Sequence, residues 1–188
     1  LAFWYNQLMG KYVALLRGIN VGGNNKVSMT DLKACFESAG YQNVRTYINS
    51  GNVLFESPES SSQALTDKVN RLLEEQIDCK PKALVLSQDE LEAVINGAPK
   101  GFGTKPDKYR YDVFFLFPPL TAEEAVKEIS LKEGVDEIFT GKGALYVQRL
   151  MPRLTQSRVT KVISSSIYQN ITIRNWNTTT KLLTLLKS

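Results

Sequence analysis

An α+β chain made of two related halves is what the sequence predicts, and three observations carry it. Short apolar runs rich in β-branched and aromatic residues alternate with segments whose apolar residues recur at helical spacing. Gly, Ser and Asn punctuate the joins, and the order of elements in the first half returns in the second. At 188 residues, 43% hydrophobic and 22% charged, the chain has the length of one domain or two small ones and an ordinary globular composition.

Segment 11–17 reads as a strand, an unbroken run of aliphatic, β-branched and aromatic residues. Ser28-Met29-Thr30-Asp31 fits a capping box, with Ser28 at the N-cap and Asp31 reaching back, and opens a helix that Gly40 closes. Segments 44–49 and 52–56 flank Ser50-Gly51 as a tight hairpin, and Leu65, Val69, Leu72, Leu73 and Ile77 place a helix over 62–77. A strand at 83–87 completes βαββαβ, the ferredoxin-like order.

After a helix at 88–96 and a breaker-rich stretch at 97–106, the second half repeats the pattern. Strand 111–117, helix 121–131, a hairpin of 137–140 with 145–148 around Gly141-Lys142-Gly143, a helix at 156–168, a strand at 171–174 and a final helix at 177–186 follow in turn. The fold class is therefore α+β with two subdomains. The first is ferredoxin-like, and the second is a related βαββα(β) unit with an extra C-terminal helix. The divisions read as 1–10 a leader or mobile extension, 11–96 the first subdomain with its following helix, 97–109 a linker and 110–188 the second subdomain.

Composition limits the chemistry. With no histidine in the chain, a Ser-His-Asp triad, a Cys-His pair and a histidine-ligated metal are excluded, and no metal site is expected. Cys35 and Cys79 form no CxxC, and Cys35 follows Met29 and Leu32 at helical spacing, the setting of a buried small residue rather than a nucleophile. No apolar run reaches the roughly 18 residues of a membrane span, and a cytoplasmic setting is expected.

The run LRGINVGGNNKV, 16–27, is the most informative stretch. Strand-to-helix connections usually span about 2 to 6 residues, and longer ones often carry function. In βαββαβ topology, loop 18–27, hairpin 49–52 and connection 79–82 share one sheet edge with the start of the first helix, an anion-friendly corner. Arg17 and Lys26 offer charge there, joined by Lys80 and Lys82; Gly18, Gly22 and Gly23 offer close backbone approach, and Asn20, Asn24, Asn49, Ser50 and Asn52 offer orienting polar groups. The spacing is neither G-x-G-x-x-G nor a Walker loop, since Asn24 stands where the latter needs lysine.

Segment 138–188 holds no Asp or Glu but eight cations, Lys142, Arg149, Arg153, Arg158, Lys161, Arg174, Lys181 and Lys187, giving +8 against −4 elsewhere. With Tyr146, Tyr168 and Trp176 this suits a nucleic-acid partner as the alternative reading, beside that of a structural or protein-interaction unit.

Tyr12 to Gly23 with Asn25-Lys26-Val27, then Thr46 to Phe55, and finally Arg174-Asn175-Trp176-Asn177-Thr178 resemble three motifs of the uncharacterised bacterial family called domain of unknown function 1697. The resemblance covers nearly the whole chain from Lys11; one departure is Asn49, where the family more often has Gln. It implies an α+β fold with a ferredoxin-like first subdomain, and no established activity, cofactor or catalytic residue. It also adds Arg174 and Trp176 as a closing wall for the corner. The expected function is binding of an anionic small molecule, a nucleotide or phosphorylated metabolite; the cofactor is unknown and no membrane partner is expected.

Overall fold

The computed structural model describes residues 9–20 and 26–188. Segment 1–8 and the candidate residues Gly22, Gly23, Asn24 and Asn25 lie outside the described residues. The chain divides into two compact units, Leu1–Leu91 with Leu182–Ser188, and Glu92–Lys181. Among the described residues each unit holds one four-stranded antiparallel sheet.

In the first unit, strands β1 (Gly10–Arg17), β2 (Gln42–Tyr47), β3 (Asn52–Ser57) and β4 (Lys82–Ser87) are ordered β2-β3-β1-β4, with helices α1 (Met29–Ser38) and α2 (Ser62–Gln76) between them. This is the ferredoxin-like arrangement that the element order predicts. Period-two alternation along the strands puts Tyr12, Ala14, Leu16, Val53, Phe55, Ala83 and Val85 on one face. There they meet Leu32 and Phe36 of α1 and Leu65, Val69 and Leu73 of α2. Phe55 is the hub of this core, with ring centroids 4.7 Å from Tyr41, 5.4 Å from Phe36 and 5.7 Å from Tyr12.

Edge strand β4 is closed by side chains of α2. Asn70 receives a bond from Ala83 N at 2.8 Å and donates to Ala83 O at 2.9 Å, and Thr66 Oγ1 accepts from Val85 N. Backbone groups that would otherwise invite another strand are thereby occupied.

Helix α1 starts at Ser28, whose Oγ accepts from Thr30 N and Asp31 N; Asp31, a methylene shorter than Glu, makes no return bond. Gly40 follows the helix with φ +87, its N–H on Glu37 O. The hairpin differs from the tight two-residue turn the sequence predicts. Tyr47 pairs with Asn52, so four residues, 48–51, make the turn, with Ile48 at φ 50 and Gly51 at φ 73.

The second unit carries β5 (Tyr109–Leu116), β6 (Asp136–Gly141), β7 (Ala144–Leu150) and β8 (Ile171–Asn175) in the order β6-β7-β5-β8, the same positional order as the first sheet. Helices α3 (Gln88–Asn96) and α4 (Ala122–Glu128) precede and follow β5. A reciprocal Thr121/Glu124 capping box opens α4. The helix ends three residues before the predicted 131 because Lys132 N is drawn to Asp136 Oδ2 at 2.8 Å.

Where the spacing predicts a helix over 156–168 there are instead 3₁₀ turns at Met151–Gln156, Val159–Ser164 and Ser166–Asn170. Pro152, the β-branched Val159, Thr160, Val162 and Ile163, and a run of serines explain the difference. Ser165 Oγ, for example, turns back onto Val162 O at 2.7 Å. Helix α5 (Trp176–Lys187) ends the chain, and Arg45 Nη2 bonds Leu185 O at 2.6 Å within the first unit. No helix among the described residues is long and apolar enough to cross a membrane.

Candidate functional site

The β1–β4 register sets Arg17 directly opposite Lys82 at the end of the first sheet. Directly opposed residues of an antiparallel pair share a face, and like charges placed so are destabilising. Both lie on the face opposite the helices, since their neighbours Leu16 and Ala83 point into the helix-covered core. Exposed Lys26 and Lys80 stand in the connections that flank these strand ends.

Backbone conformation marks the same edge. Gly18 (φ 79), Asn20 (φ 54), Ile48 (φ 50), Gly51 (φ 73) and Lys80 (φ 44) all adopt left-handed geometry there. Glycine does so freely and Asn with little penalty, but Ile and Lys are held there against sterics, with Ile48 48% exposed. Gly51 has no alternative, because a Cβ would stand 2.7 Å from Ile19 Cδ1 and 2.8 Å from Leu16 Cβ.

One side chain ties loop to hairpin. Asn20 Nδ2 donates to Val27 O and to Asn49 O, each at 3.0 Å, and Asn20 Oδ1 accepts from Val27 N at 2.9 Å. The amide thus closes the mouth of the 20–27 loop and fixes it to the turn. Asn52, fully buried, donates to Tyr47 O at 2.9 Å and to Ser50 Oγ at 3.0 Å. Asn20 and Asn52 therefore build the corner from within, while Asn49 and Ser50 are its exposed polar residues. The first-turn amides of α1 expected to face a ligand are partly engaged, since Ser28 Oγ takes those of Thr30 and Asp31.

Arg17, Gly18, Asn20, Lys26, Asn49, Ser50 and Asn52 thus belong to one edge of the first unit. Arg174 and Trp176 belong to the second unit. Arg174 is 6% exposed and donates to Thr172 Oγ1 at 3.0 Å and Ile173 O at 2.8 Å; burial pushes its guanidinium down to about 10. Trp176 is half-buried, edge-on to Phe102 with centroids 5.1 Å apart at 89°. Arg149, another cation of the acid-free segment, is 9% exposed and bonds the buried carboxylate of Asp112. Two of the eight cations counted there are therefore interior groups rather than a surface for polyanions.

The family described as protein of unknown function, DUF1697, matches residues 9–146. The chain belongs to that family. A solved structure of a conserved bacterial protein from Streptococcus pneumoniae is similar at TM-score 0.81 and 29% identity, over 95% of this chain and 99% of that one. No curated protein matches. The family match takes in the two segments that supply the corner and hairpin of the first unit, whereas Arg174 to Thr178, at the junction of β8 and α5, lie outside it.

Sequence reasoning missed the left-handed Ile48 and Lys80. Pro81, which biases the residue before it away from α geometry, was a partial signal for the latter. Among the described residues no group of His, Cys, Asp and Glu could hold a metal ion, and Cys35 is buried, its thiol pushed up by burial.

Proposed function

We propose that this chain binds a small molecule bearing a phosphate or similar anionic group at the edge of its first unit. The reading rests above all on the opposed Arg17 and Lys82, whose register sets two cations side by side at one strand end. Lys26 and Lys80 widen the cationic edge, and the exposed Asn49 and Ser50 offer orienting groups beside it. Among the described residues no heavy atom lies within 4 Å of a Cβ built on Gly18, at the strand end. Loop residues Gly22, Gly23 and Asn24 complete the candidate set.

Two charge-assisted bonds of about 1.5–3 kcal/mol each support dissociation constants from the millimolar to about tens of micromolar. The test is calorimetric titration of the full chain with sugar phosphates and inorganic phosphate, anions that carry no aromatic ring. Arg17→Ala with Lys26→Ala abolishes binding if the reading is right. Affinities unchanged in that double variant would overturn it.

A further inference from the structure

The second unit contains a cleft that the family's unknown function leaves unassigned. In β5, pairing with β8 stops at Asp112 opposite Asn175, whereas pairing with β7 continues to Tyr109. Beyond the end of β8 the Asn175 side chain donates to Tyr111 O at 3.0 Å, and a cleft of about 370 Å³ lies beside this strand edge. Small-molecule pockets span roughly 300–1,000 Å³.

Its walls are aromatic and preset. Trp176 is clamped between Phe102, edge-on at 5.1 Å, and Gly103, where a Cβ would stand 2.1 Å from the indole Nε1. Tyr111 is held edge-on to Phe102 at 4.8 Å, and Tyr109 sits 6.1 Å from Tyr111. Met151, 42% exposed, adds a pliable apolar side.

One charged group lines the cleft. Arg110 donates through Nε to Asp112 Oδ2 at 3.0 Å, and the same oxygen accepts from Arg149. A single buried carboxylate between two guanidiniums leaves one positive charge in excess. Arg110 is 49% exposed in its side chain, and its terminal nitrogens make no hydrogen bond among the described residues. A guanidinium fixed at Nε presents those two nitrogens as a fork suited to a carboxylate or phosphate.

From this geometry we infer that the cleft takes a planar aromatic ring bearing an anionic group, the ring against Trp176 and Tyr109 and the anion on Arg110. The inference stands independently of the first-unit edge. The experiment uses the full chain in a Trp4→Phe background, so that Trp176 is the sole indole, with adenosine monophosphate and 2-naphthoate as probes and adenosine and inorganic phosphate as single-feature controls. Calorimetry measures affinity, and Trp176 emission reports quenching by adenosine monophosphate.

Both probes should bind, with the controls weaker by about ten-fold or more, as expected for loss of one charge-assisted bond or one stacked ring. Arg110→Gln and Trp176→Leu should each weaken both probes about ten-fold or more. Asn177→Asp, at an exposed residue lining the cleft, should weaken adenosine monophosphate more than adenosine without perturbing the core. Arg17→Ala with Lys26→Ala should leave these affinities intact. The inference falls if neither probe binds, if Arg110→Gln and Trp176→Leu bind normally, or if the first-unit double variant abolishes binding.

Discussion

Replacing Asn20 tests whether one amide holds the glycine-rich loop to the hairpin. Its three hydrogen bonds, two at 3.0 Å and one at 2.9 Å, are each worth about 1 kcal/mol net, less for the exposed one to Asn49 O. Asn20→Gly keeps the φ of 54 accessible and loses the bonds alone, so unfolding of the first unit should become easier by about 2 kcal/mol. Asn20→Ala adds the left-handed penalty of roughly 1 kcal/mol, for a total of about 3 kcal/mol. Urea denaturation measures the totals, and amide exchange at Val27 isolates the clasp. Loss of its 2.9 Å bond should speed exchange there by about ten-fold, leaving Leu32 N, bonded to Ser28 O inside α1, unaffected. If Asn20→Gly costs less than about 0.5 kcal/mol with Val27 exchange unchanged, the loop is held by something other than this amide.

Three further outcomes follow from the second unit. Gly103→Ala, at φ 81 with its Cβ against Trp176 Nε1, should destabilise by about 2–4 kcal/mol and shift Trp176 emission to the red. Arg149→Met strands the buried Asp112 with only the half-exposed Arg110 and should cost about 3–5 kcal/mol, whereas Arg149→Met with Asp112→Leu should recover most of that loss. Burial pushes the Asp136 carboxyl up, but bonds from the backbone amides of Arg158 at 2.9 Å and Lys132 at 2.8 Å help outweigh it, so the carboxyl lies below its ordinary value of 3.8. Its contribution to stability is therefore complete above that value and lost as pH falls through the lower folded one. Denaturation midpoints of Asp136→Asn should lose that part of the acid dependence.

Strand positions were legible because short runs such as YVALL and YVQRL combine β-branched, aromatic and aliphatic residues without breakers, and the shared order of the two sheets follows from the recurring order of elements. Local pattern failed where one spacing suits two structures. Val159, Val162 and Ile163 lie where a helix would bury them, yet β-branching and serine back-bonds select 3₁₀ turns. It failed also where tertiary contacts impose a conformation against preference, as at Ile48, whose β-branched side chain argues for extended backbone. Charge counting missed the interior role of Arg149 because its partner Asp112 lies 37 residues away. A carboxylate inside the apolar run YDVFFLF was the available signal. At the candidate site, topology placed loop and hairpin together, while the internal use of Asn20 and Asn52 depended on coordinates.

The first unit is discontinuous: Leu182–Ser188 belong to it, and Arg45 bonds Leu185 O across 140 residues of chain. During synthesis, β1 to β4 emerge well before the partner of Arg45, which lies 140 residues after it. The first unit is thus completed only after the second has been made, and until then Arg45 is left to solvent. Loop closure over such a span costs little more than over a shorter one, since the entropy grows only as the logarithm of length. The consequence is one of timing: a nascent chain halted anywhere before residue 182 holds an incomplete first unit, however well its four strands have paired.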